Sequence, residues 1–199
     1  MPRRRRPWRY RLRRVIWLAV LALAGLLTAA LGARYAKREP LSTDRLYRIS
    51  KVVDGDTLEL DGRYKVRLIG VDTPEAYPCD KLERDAARCA LSEQTIMEMG
   101  REATFFAQRM CRGRSARIEF DPANRGQGHR DKYSRYLAFV FLSDPSNPAQ
   151  AEVLLNRELL RHGYARCTEF RHGRMEEFRG LEDYSRRVRA GLWARNAIP

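Results

Sequence analysis

Three short segments carry side chains suited to one kind of chemistry. They are Asp54-Gly55-Asp56-Thr57, then Arg67-Leu68-Ile69-Gly70-Val71-Asp72-Thr73-Pro74-Glu75, then Asp131-Lys132-Tyr133-Ser134-Arg135. Their carboxylates suit a hard cation, which takes oxygen ligands at ~2.3–2.6 Å and tolerates irregular geometry. Their two arginines can fork onto phosphate oxygens, a task lysine performs less well. Cutting a phosphodiester needs such parts: a metal, a base for water, and positive charge where the transition state gathers negative charge. Each residue also has a plainer reading. Asp56 can be a turn residue, Glu75 a first-turn carboxylate favoured by a helix dipole, and Arg67 a solvated arginine on a strand face. Asp54 is the better turn-former, bonding its own backbone. The conjunction of all three segments points to a site.

The elements that must position these residues are legible from Leu46 onward. Tyr47, Ile49 and Lys51-Val52-Val53 lead into Asp54-Gly55, and Thr57-Leu58-Glu59-Leu60 leads into Asp61-Gly62. Each Asp-Gly is a hairpin turn signal. Residues 63–71 read as a third strand, 76–92 as a polar loop, 115–120 as a fourth strand and 136–142 as a buried fifth. Helices are expected over 93–112, where Ile96, Met99, Ala103, Phe106 and Met110 recur at spacings of three and four, and over 149–162 and 175–190. Trp193 is expected to dock the last of them. Five strands interleaved with three helices predict an α+β domain built on a small oligonucleotide-binding (OB) barrel. The proposed site side chains are expected to face a solvent-filled cleft. His129, His162 and His172 show no metal or triad spacing and read as surface or helix-end residues. The run Arg186-Arg187-Val188-Arg189 reads as a solvated helix face.

The chain has 199 residues and a formal charge of +14, which suggests nucleic acid. The distribution weakens that inference. Residues 1–38 hold 11 basic residues and no acid, leaving 28 basic against 25 acidic in the rest. The folded part must therefore bind an anion with locally placed charge and not with a global basic field. Residues 15–33 form an uncharged run of 19, as long as a hydrocarbon core is thick, behind eight arginines. The expected organisation is a basic cytoplasmic segment over 1–14, a single-pass transmembrane anchor over 15–33, a linker over 34–44 and one domain over 45–199 on the periplasmic or extracytoplasmic side. The competing reading is a signal peptide cleaved near Ala30-Leu31-Gly32, which releases the domain. Cys79, Cys89, Cys111 and Cys167 form an even set that an oxidising compartment can pair. Cys79 with Cys89 is the first pair expected.

In order and separation, VVDGDTLEL, VRLIGVDTPE and DKYSRYLAFVF resemble the staphylococcal nuclease-like, or thermonuclease, family from about Tyr47 to Trp193. The resemblance implies the five-stranded OB barrel with three helices. It implies Ca2+ as cofactor, held by Asp56, Asp72 and the Thr73 carbonyl. It gives Glu75 the attacking water, Arg67 and Arg135 the phosphate, and Lys132 and Tyr133 a terminal phosphate or the nucleotide. The reaction implied is hydrolysis of DNA or RNA to 3′-phosphates. The chain itself is expected to be a monomer. Two departures stand out. The loop after Glu75 is longer and carries Cys79 and Cys89. Arg166-Cys167-Thr168-Glu169-Phe170 lacks the tyrosines that line the family's base pocket, and Phe170 alone offers a substitute. Two other functions compete: an OB barrel that binds single strands without cutting them, and a membrane-held protein-binding scaffold. Loss of catalysis should accompany loss of carboxylates or arginines, yet Asp56, Arg67, Asp72, Glu75 and Arg135 are all present.

Overall fold

A computed structural model describes residues 9–34, 40–147, 149–195 and 198, without the side chains of 9–14 and 29–34. It divides into two compact units, Met1–Pro40 and Leu41–Pro199. The first contains one helix, α1 (Arg9–Arg34). Its described side chains, 15–28, are all exposed, Trp17 and Leu26 at 67% and 68%. Among the described residues no helix is long and apolar enough to cross a membrane. The side chains of 29–33, which complete the expected span and hold the candidate cleavage site, lie outside the described residues, as do 1–8 of the basic segment and 35–39 of the linker.

In the second unit, β1 (Tyr47–Val52) pairs antiparallel with β2 (Thr57–Leu60), with a bulge between Ile49 and Lys51. Asp61, Gly62 and Arg63 join β2 to β3 (Tyr64–Leu68); Asp61 and Gly62 have φ of 51° and 68°, and Arg63 N donates to Leu60 O at 3.1 Å across the turn. β3 runs parallel to β6 (Tyr136–Ser143), Val66 beside Tyr136. β6 pairs antiparallel with β5 (Ser115–Glu119), and β5 with β1. The ring closes as the expected five-stranded barrel. Alternate residues fill it: Leu58 and Leu60, Tyr64, Val66 and Leu68, Ala116 and Ile118, Ala138, Val140 and Leu142.

Helices cover the barrel with apolar stripes. α3 (Glu93–Cys111) buries Ile96, Met99, Ala103 and Phe106, and its Ser92 cap accepts from Thr95 N at 3.1 Å. α4 (Leu155–Arg161) buries Leu155 and Leu159, and α5 (Met175–Arg187) buries Phe178 completely. Removing one such side chain from water contributes ~2–3 kcal/mol. Trp193 is buried beneath Arg186, 4.8 Å from its ring.

Several expectations give way. The third strand ends at Leu68; Val71–Asp72 form a separate strand, β4, paired with β8 (Arg166–Cys167). The polar loop over 76–92 contains a helix, α2 (Asp80–Cys89), docked through Leu82 and Asp85. A fourth helix thus joins the three expected. The helix expected from Ala149 starts at Leu155, because Val153–Leu154 form β7 against Leu142 and Phe141 of β6, where a β-branched residue fits the pleat.

The cysteine pairing also fails. All four cysteines are free thiols. Cys79 caps α2 and Cys89 ends it, so ~15 Å of helix separates a pair whose Cα atoms must lie within ~7 Å. Cys111 belongs to the core, and burial pushes its thiol up to about 12. His172 is no surface residue. It is 5% exposed, and its ring lies 5.1 Å from that of Phe178.

Candidate active site

The three segments meet at one rim of the barrel. The β1–β2 turn sets the first. Asp54 Oδ1 accepts from Asp56 N at 3.0 Å, which holds the turn and leaves Asp56 pointing across the barrel end. There Asp56 Oδ2 accepts from Thr73 N at 3.1 Å and from Thr73 Oγ1 at 3.0 Å. Gly55 makes this approach possible. A Cβ at that position would fall 2.8 Å from Thr73 Oγ1 and Cγ2.

Arg67 lies on β3 directly opposite Thr57. Its guanidinium bridges two carboxylates, pairing with Asp56 Oδ1 and, at 2.8 Å, with Asp72 Oδ1. Asp56 is 4% exposed, so it does not face a solvent-filled cleft as expected; it is a buried carboxylate with donors on both oxygens. Between β3 and β4 the chain turns at Ile69-Gly70. Buried Asn156 of α4 holds the turn, donating to Ile69 O at 2.8 Å and accepting from Val140 N of β6 at 3.0 Å. One side chain thus fixes the link between Arg67 and Asp72.

Glu75 is set by α3. Its backbone lies so close to that helix that a Cβ on Gly100 would come within 2.5 Å of the Glu75 carbonyl carbon. The Glu75 carboxylate pairs with Lys81 Nζ of α2 at 2.9 Å. The same ammonium reaches Asp72 Oδ1 at 3.0 Å and Thr73 O at 3.3 Å. Burial, the largest single effect, pushes Asp72 upward, but the Lys81 and Arg67 charges outweigh it and hold its carboxyl below the ordinary range. Burial opposes the Lys81 charge, yet Asp72 and Glu75 together hold the ammonium above its ordinary value. Burial is also the largest effect on Asp54 and pushes it upward against Arg67.

Arg135 approaches from the other side. Asp131 Oδ1 accepts from Tyr133 N and Arg135 N, both at 2.9 Å, and Asp131 Oδ2 from Arg135 Nε at 2.7 Å. Arg135 then reaches Thr57 Oγ1, beside Asp56, at 3.3 Å. Lys132 and Tyr133 stand at the outer lip, the ammonium 5.0 Å from the ring and the ring 68% exposed.

All eight residues singled out from sequence therefore converge on this rim or its lip. Asn156, Lys81 and the holding role of Asp131 do not emerge from the sequence, because each depends on a partner from another element or turn. Among the described residues no group of three His, Cys, Asp or Glu side chains is disposed to hold a metal. The donor set suits a hard cation nonetheless. Asp72 and the Thr73 carbonyl are oxygen ligands already gathered around one positive charge, that of Lys81.

Comparisons with known proteins bear on this arrangement. The family model for staphylococcal nuclease homologues matches residues 65–195. Asp56 precedes that stretch. An uncharacterized protein of Methanocaldococcus jannaschii is 33% identical over 73% of this chain and 70% of its own. The thermonuclease of Staphylococcus hyicus is 25% identical over 77% and 78%. The thermonuclease of Staphylococcus intermedius is 31% identical over 61% and 58%. A closed five-stranded barrel, a rim of alternating carboxylates and guanidinium groups, and a match over most of the folded part lead to one conclusion: the chain belongs to the staphylococcal nuclease homologue family.

Proposed function

We propose that this nuclease of the family cuts DNA or RNA at the barrel rim with calcium as cofactor, leaving 3′-phosphates, as a monomer. The observation that carries the reading is the gathering of Asp56, Asp72, Arg67 and Arg135 at a single rim, with Glu75 joined to it through Lys81. Asp56, Asp72 and the Thr73 carbonyl are the residues that would hold calcium. Calcium, when bound, supplies charge neutralisation for the phosphate and its leaving oxygen. Glu75 accepts a proton from, or orients, the attacking water, a contribution of roughly 10²–10⁴-fold. Arg67 and Arg135 bind the phosphate oxygens as negative charge grows on them. Lys132 and Tyr133 contact a terminal phosphate or the nucleotide from the lip.

We also propose that α1 tethers the domain to a membrane, with the arginines on the cytoplasmic side. The support is the 19-residue uncharged run and the exposure of its described side chains. Cleavage near Gly32, with release of the domain, is the alternative that fractionation and external protease distinguish.

Plasmid and RNA degradation by the purified chain, with calcium or with chelator, tests the activity. Degradation that stops on chelation is expected. Binding of single strands without cleavage in calcium would favour the non-catalytic barrel and overturn this reading.

A further inference from the structure

We propose that Lys81 is a built-in competitor for the metal: its ammonium holds Asp72, Thr73 and Glu75 in the metal-free chain and withdraws when a divalent cation binds. The proposal rests on the calcium reading above. An ammonium has three donors. Those of Lys81 meet three acceptors from three residues: Asp72 Oδ1 at 3.0 Å, Thr73 O at 3.3 Å and Glu75 Oε1 at 2.9 Å. Lys132, by contrast, rests on a ring at the lip.

The helix that carries Lys81 is fixed in place. Leu82, the next residue, is fully buried, and α2 packs on α3, the helix that seats the Glu75 backbone at Gly100. Lys81 is thus directed into the rim by packing and not only by charge. Calcium takes oxygens at ~2.3–2.6 Å. It would need Asp72 and the Thr73 carbonyl, whose oxygens the ammonium already holds, Asp72 Oδ1 jointly with Arg67, and a divalent ion at that distance repels the ammonium packed against the same two oxygens. The side chain is 30% exposed and can swing outward without unfolding α2. Its departure does two things at once. It clears the ligands, and it releases the Glu75 carboxylate from its ion pair. Metal entry and liberation of the base become one event, and the calcium-free enzyme holds neither.

The test uses the full-length chain in detergent micelles, with calcium chloride titrated by calorimetry. Lys81→Gln and the isosteric Lys81→Met should bind calcium about tenfold more tightly than wild type, or about 1.4 kcal/mol. Arg84→Gln removes the same charge from an exposed position on the same helix and should stay within about twofold, because exposed charge is screened. In wild type, saturating calcium should also raise the acylation rate of Lys81 by an amine-reactive ester, read by peptide mass spectrometry. Wild-type or weaker affinity in both Lys81 variants, an equal shift in Arg84→Gln, or labelling unchanged by calcium overturns the proposal and leaves the calcium site standing. No calcium binding by any of the proteins overturns the calcium reading and the proposal with it.

Discussion

The two arginines at the rim are held in opposite ways. Arg135 is oriented by its own turn. Asp131, which also accepts from Tyr133 N, takes its backbone N–H and its Nε and leaves the guanidinium reaching Thr57. Arg67 is oriented by Asp56 and Asp72, the carboxylates assigned to the metal. The first arginine is therefore placed whatever the site contains. The second is placed by the carboxylates proposed to hold calcium, and on that proposal it adjusts when the cation binds. One rim thus combines a donor set by its own turn with a donor set by the proposed metal ligands.

The largest effects should come from removing either arginine. Arg67→Ala and Arg135→Ala should each lower turnover at least ~10²-fold, the scale of one oriented transition-state donor. Stability should separate them. Without calcium, Arg67→Ala leaves buried Asp56 without its counter-charge, and its melting temperature should fall and then recover as calcium is added. Arg135→Ala should show no extra recovery over wild type. Equal calcium responses in thermal melts would break the comparison.

Asn156→Leu should follow in size. It strips partners from Val140 N and Ile69 O, two buried backbone groups, at about 1–3 kcal/mol each. Because Ile69 links Arg67 to Asp72, turnover should drop as well, while the Asp131–Arg135 turn stays intact. Urea unfolding and a turnover assay under folding conditions measure both. Next, Asp131→Asn should cost Arg135 its orientation and lower turnover by roughly tenfold, less than losing the guanidinium itself. A loss as large as that of Arg135→Ala would show that Asp131 does more than position it.

The smallest effect concerns acidity on the Arg67 side. His172 packs against Phe178 and the Gly70 turn, with Nδ1 accepting from Arg174 N. Burial, opposed by Asp121 and aided by Arg179, holds it below its ordinary 6.5. The folded state prefers the neutral ring, while the unfolded chain takes a proton as pH falls through 6.5. Its stabilising contribution is therefore complete above 6.5 and lost as pH falls from there through the lower folded value. Thermal melts of wild type should decline over that window, and His172→Gln should decline less.

Much of the fold was legible because local chemistry and tertiary need agree. The Asp61-Gly62 turn supplies the two left-handed residues its hairpin demands, and the α3 stripe matches the face that is buried. The α2 helix was not legible, because Leu82 is its one buried apolar residue and a single anchor gives no periodicity. The early start assigned to α4 failed because edge pairing with β6 overrides helix propensity at Val153-Leu154. At the rim, clustering of the three motifs was readable from residue types. Lys81 and Asn156 were not, since a lysine in a charged loop and an asparagine on a helix acquire meaning only from the groups they face.

The parallel pairing of β3 with β6 has a consequence in time. Val66 meets Tyr136 seventy residues further along the chain, so this contact closes a long loop, and long-range closures come late in folding. Arg67 and Arg135 sit on either side of that seam. A refolding chain should therefore regain its helical signal first and its cutting activity last.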